Sequence, residues 1–137
     1  MVVHSPYEAS WELEDELDAP RHARHLTADT LSAWGIDGFS DGAQLVVSEL
    51  VTNALVHAQS CSCLMLRYDG NKLWIGVRDH GDGEAVQRTS TGIGGWGLKV
   101  VESQSDDWGT ERHHDGGKTI WSEMLPPWES NGHHTDA

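Results

Sequence analysis

Apolar residues recur at helical spacing through Val46, Val47, Leu50, Val51, Ala54 and Ala58, while Glu49, Asn53 and His57 fall four apart beside them. At about 3.6 residues per turn each step of four drifts by only roughly 40°, so the three polar residues form one narrow stripe along a core-facing helix. That helix is expected to open at Ser40 or Asp41. An earlier helix is expected from Asp18-Ala19-Pro20 to Trp34, with the acid as cap, the proline in the first turn and Gly35 as the stop. A third comes after the glycine-dense stretch from Gly92 to Gly97, starts near Gly97 and runs to about Ser105. Period-two patterning predicts strands over Glu8–Glu14, Ser62–Tyr68, Lys72–Arg78, Asp107–His113 and Lys118–Met124. Asp69-Gly70-Asn71 reads as a tight hairpin turn, and Asp115-Gly116-Gly117 joins the last two strands.

Strands grouped with helices on one face argue for a two-layer α/β sandwich with a mixed, mostly antiparallel sheet. One domain is expected over residues 8–125, with residues 1–7 and 126–137 as flexible, polar termini. The length of 137 residues suits a single core. No apolar run is long enough to span a bilayer and no charged-then-apolar leader opens the chain, so a cytoplasmic protein without membrane attachment is expected. A formal charge of −13 argues against a nucleic-acid partner, because phosphate binding needs clustered Lys and Arg. Cys61 and Cys63 stand two apart in one strand, a poor geometry for a disulfide, and read as reduced structural residues. The pairs His113-His114 and His133-His134 have no spaced third ligand and read as solvated side chains. Of the tryptophans, Trp11, Trp74 and Trp121 lie in strand patterns as core or sheet-face residues, while Trp108 and Trp128 are candidates to touch a partner.

The chemistry begins with the polar stripe. An Asn oxygen can meet a hard cation, and a Glu one turn earlier can take or orient a proton. Alone, the stripe fits an ordinary amphipathic helix equally well. The chain beyond it is more specific: after the strand-like Leu73–Val77 comes Asp79-His80-Gly81-Asp82-Gly83, and later Gly92-Ile93-Gly94-Gly95-Trp96-Gly97-Leu98 opens a helix. Acid helix, then Asp-x-Gly-x-Gly after a strand, then a glycine-rich loop entering a helix: this order resembles the Bergerat-type ATP-binding fold of gyrase-like ATPases, Hsp90-type chaperones and histidine kinases. The resemblance covers roughly residues 11–125. Within that superfamily the run Glu49-Leu50-Val51-Thr52-Asn53-Ala54, the early helix with Arg21 and Arg24, and Gly116-Gly117-Lys118-Thr119-Ile120-Trp121 look most like the stand-alone bacterial anti-sigma-factor serine/threonine kinases.

The resemblance implies roles for individual residues. Asn53 would bind the magnesium ion that bridges the nucleotide phosphates, and Glu49 would act as general base or orient the attacking group. Asp79 would accept a hydrogen bond from the adenine amine, directly or with a bridging water, with Gly81 and Gly83 turning the backbone under the base. Gly92, Gly94, Gly95, Trp96, Gly97 and Leu98 would form the lid and helix start facing the phosphates; the lid is short, and Trp96 stands where relatives carry small or basic residues. Thr119 would lie near the adenine pocket. The Gly-Lys-Thr there is not a P-loop, because Arg112 occupies the first glycine position and a strand comes next. His57 reads as a packed histidine rather than a ligand.

The implied function is ATP-dependent phosphorylation of an anti-sigma-factor antagonist protein by a kinase that can also sequester a sigma factor, with Arg21 and Arg24 sharing an exposed docking side. Homodimers, which relatives of this branch often form, stay open. Two other readings compete: a nucleotide-gated binding module without significant transfer, and the catalytic domain of a histidine kinase, against which stands the lack of a helical hairpin bearing a phosphoacceptor His.

Overall fold

The computed structural model describes residues 7–14, 16–58, 62–80 and 93–128, of which 57, 58 and 93–97 are described by their backbone alone. Alternating burial makes Tyr7–Leu13 a strand, β1, with Ala9 and Leu13 inward. The chain then enters α1 (Ala19–Ala33), with Pro20 in its first turn. Asp18 does not cap it: at φ −93°, ψ 8° it lies outside the extended region a side-chain cap needs. Its carboxylate instead lies 3.8 Å from Arg21, and its carbonyl accepts from His22 N–H. Gly35 ends α1 as expected, at φ 76°.

A single 3-10 turn, Asp37–Phe39, leads into α2 (Ser40–Asn53), which continues as a π-helical turn through Ala54–Ala58. Strands β2 (Ser62–Tyr68) and β3 (Leu73–Asp79) form a hairpin in which Asp69 Oδ1 accepts from the N–H groups of Asn71 and Lys72, each at 2.8 Å. Helix α3 (Ile93–Gln104) precedes a second hairpin, β4 (Asp107–Arg112) and β5 (Lys118–Met124). Its turn is closed by Asp115 Oδ1, which accepts from Gly117 N–H at 3.0 Å. The helix begins four residues before the expected start at Gly97. Glycines are poor helix formers; further along, Leu98 and Val101 anchor α3 on the core, and the helix lies against α2.

The five strands lie in the order β1-β2-β3-β5-β4, and every pairing is antiparallel. One face carries the helices. Leu13, Leu64, Leu66, Leu73, Ile75, Val77, Ile120 and Met124 from the sheet meet Leu31, Val46, Val47, Leu50, Val51 and Val101 from the helices. On the other face Trp74 lies under the Arg67 guanidinium, 4.4 Å from ring to charge. Trp11 and Trp108 pack partly against the core. Residues 126–128, which the sequence pattern assigns to a flexible tail, are held: Pro126 is buried and Trp128 meets Phe39 edge-on at 5.2 Å. Tyr7, at the other expected terminus, stacks on Trp34 at 5.4 Å.

Both hairpin turns hang on an acid. Hydrogen bonds from the N–H groups of Lys72 and Asn71 hold the Asp69 carboxyl below the usual carboxylate range, and the Gly117 N–H, with Arg78 beside it, does the same for Asp115. A carboxylate whose folded value is depressed contributes stability above its unfolded value, and that contribution disappears as pH falls through the folded one. Stability measured by urea unfolding should therefore drop below about pH 5. In the Asp69→Asn, Asp115→Asn double variant the drop should be shallower, because these two titrations are gone.

Candidate functional site

Helix α2 sets the first half of the site. Leu50 and Val51 are fully buried and fix the rotation of the helix, which leaves Glu49 half-buried at the rim and draws Asn53, one turn on, into the interior at 8% exposure. Among the described residues the Asn53 Oδ1 atom is buried with no hydrogen-bond partner. A buried amide oxygen left in that state costs on the order of 1–3 kcal/mol. It is also the kind of neutral oxygen that a hard cation accepts as a ligand. The α-helical periodicity that carried the stripe on to His57 ends at Asn53, because the next turn is π-helical. The side chain of His57 lies outside the described residues.

The second half is the end of the β3–β5 ladder, against which the π turn of α2 packs on the β3 side. Asp79, the last residue of β3, pairs directly with Lys118, the first of β5. Alternation aims both at the helix-bearing face, in step with Val77 and Ile120. Both are buried, at 2% and 1% exposure, and Lys118 Nζ donates to Asp79 Oδ2 at 2.5 Å. Asp79 Oδ1, by contrast, is buried without a partner among the described residues. An ionised carboxylate is an acceptor only, so this half of the site offers an acceptor open to a hydrogen-bond donor.

Two close approaches hold the ladder end. A Cβ on Gly117 would collide with the Asp79 carbonyl oxygen, so only glycine lets the hairpin turn come this near. The Gly117 carbonyl accepts from His113 N–H at 2.9 Å, closing the turn. Thr119 is buried too, but it stands one residue beyond Lys118 and faces the other side of the sheet. There its hydroxyl bonds His113 Nε2 at 2.8 Å. The structure therefore brings Lys118, not Thr119, to the Asp79 carboxylate.

A family model for the histidine kinase-like ATPase domain matches residues 13–123. The chain belongs to the histidine kinase-like ATPase family. Its fold is similar to that of the RsbU and RsbW domains of Rv1364c from Mycobacterium tuberculosis, with a TM-score of 0.65 and 20% identity. The match covers 86% of this chain and 32% of that one, so this chain spans about a third of its structural neighbour. No curated protein matches it. Membership of a histidine kinase-like ATPase family implies ATP as the nucleotide, and the buried oxygens of Asn53 and Asp79, unpartnered among the described residues, are free to meet a polar ligand.

Of the other sequence-derived ATPase residues, Gly81, Gly83 and Gly92 lie outside the described residues. Gly94, Gly95, Trp96 and Gly97 fall in the first turns of α3, and Leu98 is the first of that helix with a described side chain, packed partly on the core. Arg21 and Arg24 do not share one exposed side. Arg21 is exposed beside Asp18, whereas Arg24 is half-buried and donates from Nη1 to Ser48 Oγ at 3.1 Å, tying α1 to α2 next to Glu49. Lys118 is the residue that sequence reasoning missed. Only the β3–β5 register puts it opposite Asp79, and the expected end of β3 at Arg78 would have paired it one residue off.

Gly117→Ala should push β5 away from Asp79. Forcing a methyl into a packed site typically costs about 1–3 kcal/mol, which urea unfolding would read as a lower midpoint at unchanged slope.

Proposed function

We propose that this chain is an ATP-dependent serine/threonine protein kinase of the anti-sigma-factor type, which phosphorylates an anti-sigma-factor antagonist and binds a sigma factor. The observation that carries the reading is the pair of buried, unpartnered acceptors, Asn53 Oδ1 and Asp79 Oδ1, in a histidine kinase-like ATPase domain. The likeness to the structure holding the RsbU and RsbW domains of Rv1364c adds support by fold alone. In this reading Asn53 holds a magnesium ion and Asp79 takes the adenine amine. Bound ATP with its metal would supply the phosphoryl group and the charge neutralisation that such transfer chiefly needs. Glu49, half-buried at the rim one turn before Asn53, takes the proton from the acceptor serine or threonine hydroxyl. Arg21 is the docking anchor, since Arg24 is engaged with Ser48.

Incubation with labelled ATP, magnesium and candidate antagonist proteins should yield phosphoserine or phosphothreonine on one of them. Glu49→Ala should leave nucleotide affinity nearly intact and slow transfer by about 10²–10⁴-fold, the usual loss for a general base. Asn53→Ala should weaken magnesium–nucleotide binding itself, read by calorimetry. Transfer at the parent's rate by Glu49→Ala would remove the assigned base. ATP binding with no phosphorylated product would instead leave a nucleotide-gated binding module.

Docking is tested separately. Arg21→Glu should cost partner affinity about 2 kcal/mol or more, as lost arginine anchors often do, with ATP affinity unchanged. Parent-like capture of the antagonist by this variant would move the docking surface to another face.

A further inference from the structure

The Lys118–Asp79 pair does more than close the sheet. A buried ion pair is often replaceable by apolar side chains without loss of stability, so its presence alone explains little. A pair serving packing alone would have its remaining lone pairs satisfied, because each orphaned acceptor in the interior is costly. Here one carboxylate is split. Oδ2 is taken by the Lys118 ammonium, and Oδ1 is buried without a partner among the described residues. Lys118 itself is 1% exposed and sits in direct register with Asp79, so the carboxylate's orientation is set from across the ladder.

We infer that Lys118 is the positioning residue for base selectivity: by holding Asp79 Oδ2 it presents Oδ1 as an acceptor-only group that takes an amine and rejects a carbonyl. The inference rests on the ATP reading above. Its physical core is the difference between the two forms of a carboxyl group. The ionised form accepts only, whereas the protonated form both donates and accepts. With a cation beside it, the buried negative charge is compensated. Without one, a carboxyl group in the interior is most cheaply neutral, and its proton can then be offered to a carbonyl oxygen. The base-reading residue is Asp79, but what makes it discriminate is the charge supplied by Lys118. The ammonium has three protons and no acceptor, so it cannot itself receive the amine.

The test compares MgATP with MgITP, whose base carries a carbonyl where adenine has the amine, by calorimetry on the full chain. The parent should prefer ATP. Lys118→Met should lower the ratio of the two affinities by about tenfold or more, the scale of one buried polar mismatch. Lys118→Arg, which keeps the charge, should retain most of the preference. The ratio is the decisive readout, because a purely structural defect weakens both nucleotides alike and leaves it unmoved. If the methionine variant does not fold, Lys118→Gln carries the same comparison, since its amide can still donate to Oδ2 but brings no charge. A neutral variant with the parent's preference overturns the inference while the ATP reading stands. Failure of the parent to bind ATP overturns that reading itself.

Discussion

Because β3 and β5 pair antiparallel with Val77 opposite Ile120, the next matched pair toward the ladder end is forced to be Asp79 opposite Lys118 on the same face. A slip of one residue would turn every side chain of one strand to the other side. Such a slip of β3 would carry Leu73, Ile75 and Val77 out of the core. At about 1.5–3 kcal/mol for each fully buried aliphatic side chain, that penalty exceeds what the ion pair contributes in either direction. Apolar burial therefore selects the register, and the charged pair is carried to its place by it. The same logic holds on α2, where Val46, Val47, Leu50 and Val51 set the helix rotation and Asn53 is carried inward with them.

This order of dependence explains how a fold of modest stability tolerates the polar groups it buries. Among the described residues, two orphaned acceptors at about 1–3 kcal/mol each are a substantial fraction of the about 5–15 kcal/mol that separates folded from unfolded chains. They persist because the continuous core beside them over-determines the backbone on which they stand. Local rules broken inside a well-packed frame mark a site rather than a defect. Among the described residues the break falls on three atoms, the Asn53 amide oxygen, the free Asp79 carboxylate oxygen and the Arg78 Nε donor, on α2 and β3, whose neighbouring residues obey their pattern.

The pattern of polar and apolar positions placed most of the architecture. β2 and β5 have the expected bounds, and β3 and β4 differ from expectation by one residue at their ends. What local pattern missed depends on distant partners. Thr119 and Lys118 are both buried, and nothing in their own neighbourhood tells which one shares a face with Asp79; that is decided by a pairing 39 positions away. Arg24 looks like half of an exposed basic pair until a serine 24 positions on draws it inward. The start of α3 escaped because four glycines in six positions argue for a loop on propensity alone, whereas the helix starts at Ile93. Pro126 and Trp128 looked like a tail because they carry no periodicity, yet Pro126 is buried and Trp128 packs on Phe39 and over Gly38.

The polar residues of the site also differ in depth. Glu49 is half-buried, Asn53 is at 8% exposure, and Asp79 and Lys118 are nearly inaccessible. Under the proposed reading this gradient divides the work. A hydrogen bond that must distinguish an amine from a carbonyl gains from a low local dielectric, which strengthens the right pairing and penalises an unsatisfied one. A base that must meet a hydroxyl on another protein gains from the opposite, since its proton-accepting oxygen has to be reached from outside. One helix and one ladder end supply both environments, because Glu49 and Asn53 of α2 differ in depth while β3 ends on the buried Asp79. Base selectivity and transfer are then separable by mutation, with the deep pair controlling which nucleotide binds and the rim acid controlling how fast its phosphoryl group leaves.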